Sequence, residues 1–221
     1  MILFHYLNSF LHTPAYWHGA DSIWLRLAQH GEYTLLILAI ATVLAFPLGC
    51  LTGHTGRGGS AVSVLAVTAR ALPTFGVLVL LTVLMGIGYL PVVIPLVALA
   101  IPPILLATHV GLRGVDPAVV DAARGVGMRP LQILLQVEIP AALPSILNGL
   151  RSAAVQIVAT ATIAAYVSFG GLGRYIVDGL SEYDYVQVVG GAVVVAVLSI
   201  AVLGLFAVIA RFAVSPGIRA R

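Results

Sequence analysis

The stretch Val115-Asp116-Pro117-Ala118-Val119-Val120-Asp121-Ala122-Ala123-Arg124-Gly125-Val126-Gly127-Met128-Arg129-Pro130, continued through Val137-Glu138-Ile139-Pro140, is a polar island in an apolar chain. Between Arg57 and Arg113 the only charged residue is Arg70, and between Glu138 and Arg174 the only one is Arg151. Flanks this long and uncharged partition into lipid, whereas the island needs water. Asp116 is placed to cap a helix, Pro117 suits the first helical position, and Gly125 and Gly127 supply the stop. The pattern predicts a short helix that offers Val119, Ala122, Ala123 and Val126 as one small apolar face. On a membrane protein, a small-residue helix exposed to the cytoplasm is one presented to a partner.

Composition agrees. The 221 residues are 60% hydrophobic and 9% charged, whereas a soluble domain carries about 25% charged residues. Mean hydropathy is +1.08. The single Cys50 lies in an apolar run, excludes an intrachain disulfide and reads as a packing residue. All of the positive charge is arginine, and in a membrane chain the net +3 is a topology signal, not a sign of nucleic-acid binding.

Residues 1–31 mix Tyr6, Tyr16, Trp17 and Trp24 with polar groups, without the basic and small-residue pattern of a cleaved signal peptide. Asp21-Ser22 is placed to cap a helix with Ile23, Trp24, Leu27 and Ala28 on one side and Arg26, Gln29 and His30 on the other, read as an interfacial helix at the membrane surface. His5, His12, His18 and His30 have no metal-site spacing. Five spans follow, at about residues 33–53, 61–84, 92–112, 141–167 and 186–210, each near the roughly 20 residues a bilayer core requires. The domain reading is therefore an external or interfacial segment (1–31), a transmembrane domain (32–212) enclosing a cytoplasmic segment at 113–139, and a cytoplasmic tail (213–221).

Within the spans, Pro73 removes a backbone donor and loosens the second helix near mid-membrane. Pro95, Pro102 and Pro103 make the third irregular. The fourth, rich in Ala, Thr and Ser, is read as the central helix because small residues allow close approach. Gly53 to Ser60 is a near miss to a phosphate-binding loop, but Gly59 stands where the lysine belongs, the chain contains no lysine at all, and the segment follows a membrane helix. Nucleotide binding is rejected, so any ATP must be hydrolysed by another chain. Nor does any arrangement of Ser, His, Asp or Cys suggest a catalytic site.

Arg57, Arg113, Arg124, Arg129, Arg211, Arg219 and Arg221 fall on one side of the spans, and Arg26 and Arg174 on the other. The positive-inside rule then places the island and the C-terminus in the cytoplasm and the N-terminus outside.

Asp121-Ala122-Ala123, followed after three residues by Gly127 and after nine more by Val137-x-Ile139-Pro140, resembles the EAA signature of the membrane subunits of bacterial ABC importers. That signature reads Glu-Ala-Ala, three residues, Gly, nine residues, Ile-x-Leu-Pro. The spacing matches, and the departures are Asp121 for Glu, Val137 for Ile and Ile139 for Leu. The resemblance covers roughly residues 20–212. It implies an all-α polytopic bundle of five transmembrane helices with the type I importer permease (MetI-like) fold, in the bacterial inner membrane. It also implies that Asp121, Ala122, Ala123, Arg124, Gly127 and Met128 belong to a coupling helix that rests in a groove of a separate cytoplasmic ATPase. ATP and Mg would be bound by that ATPase, with no cofactor in this chain. The implied assembly adds a second permease subunit, identical or not, and an external substrate-binding protein.

Ala71-Leu72-Pro73-Thr74, Gly86-Ile87-Gly88 and Leu112-Arg113-Gly114-Val115-Asp116-Pro117 look most like the permeases for glycine betaine, choline, carnitine or proline. Gly170-Gly171-Leu172-Gly173 is shared in resemblance with permeases for methionine and alkanesulfonates, which keeps those cargoes open. A scaffold that has kept the bundle but not transport is a third reading, opposed by the intact spacing from Asp121 to Pro140. For the path, Arg70 is either a functional ionisable group in a span or a snorkelling structural one. With Pro73 it sets off Phe75, Tyr166 and Phe169, joined by Tyr89, as gate or path candidates whose faces could hold a quaternary cation; the competing reading of the rings is packing. Arg151, three turns into the fourth span, is read as structural.

Overall fold

Lipid offers the backbone no hydrogen-bond partners, so spanning segments of this composition satisfy their amides internally as helices. In this computed structural model, which describes residues 2–19, 21–167 and 169–215 with the side chain of Arg70 excepted, no strand is found among the described residues. The helices are α1 (Ile2–His12), α2 (Ile23–Thr55), α3 (Gly59–Ala71), α4 (Thr74–Met85), α5 (Tyr89–Arg113), α6 (Pro117–Gly125), α7 (Pro130–Ile133), α8 (Ile139–Thr160), α9 (Gly173–Glu182) and α10 (Tyr185–Ala213). Four continuous helical stretches are long and apolar enough to cross a membrane: α2, α5, the run Pro130–Val167 and α10. The pair α3 and α4 makes the fifth if the two are taken as one broken span.

The differences from the sequence reading each have a local cause. No separate interfacial helix exists at 23–30, because nothing breaks the ladder at Gly31 and α2 runs unbroken for 33 residues. The expected polar side of that segment turns inward, and His30 is fully buried. Pro73 does more than loosen its span. Leu72 is extended (φ −68°, ψ 126°), as a residue before proline prefers, and the chain leaves the helix there before restarting at Thr74. The third span, by contrast, stays helical from Tyr89 to Arg113 despite its prolines. It is also the most enclosed of the four, with 56% of its most apolar window buried against 28% for the fourth. The fourth stretch starts earlier than expected, at Pro130, widens into a π-turn over Leu134–Glu138 and tightens to a 3-10 helix over Ala161–Val167.

The chain divides into two units. The second comprises Ala39–Leu72, Ala98–Ala153 and Leu203–Arg221, and glycine organises it. A Cβ on Gly49 or Gly53 of α2 would lie 2.6 Å from Thr108 Cβ or 2.8 Å from Leu112 Cβ of α5. One on Gly111 of α5 would lie 2.8 Å from Ser145 Cβ of α8, and one on Gly149 of α8 would lie 2.6 Å from Ala107 Cβ and 2.8 Å from the Pro103 carbonyl. Helix α5 is thus held between α2 and α8 at glycine contacts on both sides, the small-residue packing that replaces the hydrophobic effect in lipid. The Ser145 hydroxyl donates to the Ala107 carbonyl at 2.9 Å and fixes the α5–α8 register. Cys50, Leu112, Ala142 and Ile146 form the core beside it.

The first unit comprises Met1–Leu38, Pro73–Val97 and Ala154–Val202. Its core is aromatic: Phe10, Ile23, Leu172 and Tyr175 are buried, with Tyr16, Trp17 and Leu27 against them. Phe10 stacks on Tyr16 at 4.4 Å and meets the edge of Tyr175 at 5.8 Å. Gly190 and Gly191 of α10 leave the space that Phe10 and Tyr175 fill.

Candidate functional site

The polar island folds as its residues dictate. The Asp116 carboxylate accepts from the Ala118 amide at 2.9 Å, Pro117 is the first helical residue, and α6 closes at Gly125. Gly127 adopts φ +84°, where the left-handed backbone favours glycine. Its amide donates to the Arg124 carbonyl at 2.9 Å and the Met128 amide to that of Ala123 at 3.2 Å, which satisfies the helix end. Asp121, Ala122, Ala123, Arg124, Gly127 and Met128 therefore occupy one helical turn and its stop. Asp121 and Arg124 pair at 3.0 Å while both remain mostly exposed, so the pair contributes little stability.

One part of the expected apolar face is corrected. Val119, Ala122 and Val126 are exposed, Val126 at 80%, but Ala123 is buried. Nearly all of α6 is exposed, and its inner side is only as wide as Ala123 and the half-buried Val120. The exposed apolar surface continues instead into Leu131 and Leu135, which the sequence reading did not single out. Their spacing of four residues on one helical face was the available signal.

Behind α6 lies a cleft of about 180 Å³ whose lining includes His54, Arg113, Val120, Asp121, Arg124 and Glu138. Glu138 is the one buried carboxylate among the described residues. It sits in the π-turn and meets His54 Nδ1 at 2.5 Å. The nearby glycines that mimicked a phosphate loop have backbone reasons: Gly56 turns at φ +70° beneath Arg113, and Gly53 admits α5.

The path candidates all lie in the first unit except Arg70, which is in α3 with its side chain outside the described part of the structure. Pro73 forms the break ahead of α4. The rings separate into two groups. Phe75 meets Tyr166 edge-on at 5.3 Å. Phe169 meets Tyr89 at 4.9 Å and Tyr33 at 5.2 Å, and Tyr33 was not foreseen. Phe169 is buried, whereas Phe75, Tyr89 and Tyr166 are about half exposed. These are ring-to-ring contacts with one exposed flank, an arrangement that packs and can still present a π-face.

The same unit holds a polar cavity of about 480 Å³ whose lining includes Tyr16, Asp21, Arg26, Arg174, Tyr175 and Glu182. Arg26 pairs with Asp21, and Arg174 with Asp178 at 2.6 Å. Burial pushes the Tyr175 phenol up to about 12, and burial followed by the negative charge of Asp184 raises Tyr16. Of the side chains on the supposed polar face of α2, Gln29 holds the Gly-Gly-Leu-Gly turn and His30 the last turns of α8. Gln29 Oε1 accepts from the Gly171 amide at 2.9 Å, and His30 Nε2 contacts the Val158 carbonyl at 2.9 Å.

A family model described as "Binding-protein-dependent transport system inner membrane component" matches residues 45–220. The chain is 30% identical over 207 residues to the choline transport system permease protein OpuBB of Bacillus subtilis, covering 94% of this chain and 93% of that one. It is 35% identical over 179 residues to the osmoprotectant import permease protein OsmW of Salmonella typhimurium, covering 78% and 82%. Its fold is that of a chain in an inward-facing structure of the MetNI methionine ABC transporter, with a TM-score of 0.77 over 90% of this chain and all of that one, at 22% identity.

Proposed function

We propose that this chain, which belongs to the family of binding-protein-dependent transport system inner membrane components, is the permease subunit of an ATP-driven importer for a compact osmoprotectant of the glycine betaine, choline or carnitine type. The observation that carries the cargo class is the identity along nearly the whole chain to a choline permease. At 22% identity, the likeness to the methionine transporter is one of fold and lends no support to methionine as cargo.

In this reading α6 and the Gly127 stop dock on a cytoplasmic ATPase that binds ATP and Mg. A second permease subunit completes the path, and an external binding protein delivers the solute. The arginine distribution supports a cytoplasmic position for residues 113–139, with the N-terminus outside. The permease does no bond-making chemistry. It supplies a path with few fixed charges, along which a zwitterion or quaternary cation meets the faces of Phe75, Tyr89 and Tyr166.

The test is uptake of labelled glycine betaine into vesicles carrying the assembled importer, with and without ATP and with methionine as competitor. ATP-dependent uptake indifferent to methionine is the expected result. An assembled complex with active ATPase that takes up no betaine or choline overturns the cargo and leaves the importer class.

A further inference from the structure

The family signature runs from Asp121 to Pro140, and inside it lies a feature the signature does not require. Glu138 is buried in a chain with very few charges, at 6% exposure, and sits in a π-turn. Its partner, His54 at 2.5 Å, belongs to the last turn of α2, 84 residues away in sequence. An unpaired carboxylate at this depth is strongly unfavourable, whereas two apolar side chains of similar size would fill the same space at no penalty. Space-filling alone thus gives no reason for an acid here. Direction does: a hydrogen-bonded pair fixes distance and angle, as apolar packing does not.

The pair also occupies a mechanically singular place. Residues 113–139 leave α5 at Arg113 and rejoin α8 at Ile139 through the π-turn. A π-turn is the least regular part of a helix and frequently marks functional segments. The cleft behind α6 is lined by signature residues Asp121 and Arg124 and by His54 and Glu138. A force applied to α6 reaches α8 through Glu138's own turn, where the helix is softest.

We propose that the His54–Glu138 pair is the positioning element that ties this turn to the end of α2, so that displacement of the 113–139 segment moves the adjoining ends of α2 and α8 together and does not dissipate in the π-turn. His54 and Glu138 are positioning residues, acting through the segment that meets the ATPase, and the proposal rests on the permease reading above.

The test uses the full importer in proteoliposomes with its binding protein, and records betaine uptake and ATP hydrolysis in the same vesicles. His54→Ala and Glu138→Gln are expected to lower uptake per ATP by about tenfold or more, the scale set by losing one charge-assisted hydrogen bond. His54→Arg, which supplies an N–H donor to the Glu138 carboxylate, restores the ratio to within about twofold of wild type on the same scale. The double variant His54→Leu/Glu138→Leu fills the space without the bond; it assembles at wild-type yield and stays uncoupled. Wild-type coupling in the double variant, or in His54→Ala, overturns the proposal. Absence of ATP-dependent betaine uptake by the wild-type complex would instead overturn the cargo assigned above, so the two failures are distinguishable.

Discussion

The two units of this chain differ in what their helices place against glycine. In the second, α2, α5 and α8 meet through glycines, with Gly149 facing the Pro103 carbonyl and Gly111 facing Ser145. In the first, large rings and buried polar groups are clasped over long sequence distances: Phe10 fills the space left by Gly190, and Gln29 holds Gly171. Contacts at Cβ and carbonyl atoms have little give, whereas the Phe10 ring can rotate and a short helix such as α1 can shift; the first unit keeps rigid contacts too, as where Gly173 meets the Thr162 backbone. The expectation is that the α2–α5–α8 contacts transmit displacement and the α1–α10 contact absorbs it.

The largest expected effect tests that contrast directly. Gly149→Leu should prevent assembly, because its Cβ would already be 2.8 Å from the Pro103 carbonyl and overpacking of this kind costs about 1–3 kcal/mol or more. Gly190→Ala points at Phe10 at a still shorter separation, yet it should cost less than Gly149→Ala because the obstacle is a side chain on α1. Thermal unfolding of the two alanine variants in detergent measures both. The contrast fails if the order is reversed.

Next comes Gly127. Nothing lies within 4 Å of its missing Cβ, so the penalty is purely the left-handed backbone, about 1–2 kcal/mol for an ordinary side chain. Gly127→Val should abolish uptake while the protein stays in the membrane, and Gly127→Asn, which tolerates this conformation, should retain much of it. Equal uptake by both would remove the coupling role from the turn.

A smaller effect is expected from Gln29→Ala in the first unit. Leaving the Gly171 amide without its acceptor costs about 1–3 kcal/mol, and hydrogen exchange should quicken at residues 169–173 without loss of ATP coupling. Exchange quickening equally in α6 would show that the first unit does not absorb the change.

The smallest is a pH effect. Because burial raises the folded-state phenol of Tyr175 to about 12, its neutral form is favoured on folding. The contribution is complete below the ordinary tyrosine value near 10 and is lost as pH rises through 12. Melting temperature should hold steady to about pH 10 and then fall, less steeply in Tyr175→Phe.

The contrast also explains what the sequence could reveal. The island was legible because its rules are local: Asp116 caps two residues away, Pro117 starts the helix and Gly127 stops it. The family's spacing lies in the same segment. The break at Leu72-Pro73 was half legible, since proline names the place but not how far the chain departs from the helix. His30, Gln29 and Tyr33 were misplaced or missed because their partners lie more than a hundred residues away, at Val158, Gly171 and Phe169. Periodicity assigned His30 and Gln29 to the polar side of an interfacial helix and made Tyr33 only the start of a span, and only tertiary contact shows their side to be interior. Glu138 could be read as a charge but not as a buried one, since His54 is 84 positions off.

The π-turn at Leu134–Glu138 bears on how this segment can change in length. A turn that holds one residue more than an α-helical turn is a place where a residue can be removed without cutting the helix, since the hydrogen bonds close again as a regular ladder. Such a deletion leaves the flanking faces where they are, because the widened turn takes in its extra residue within one circuit of the axis, and Ile133 stays buried. What is lost is the wide turn that holds Glu138, so shortening the link between Gly127 and Pro140 by one residue would be felt at His54 and not along the helix.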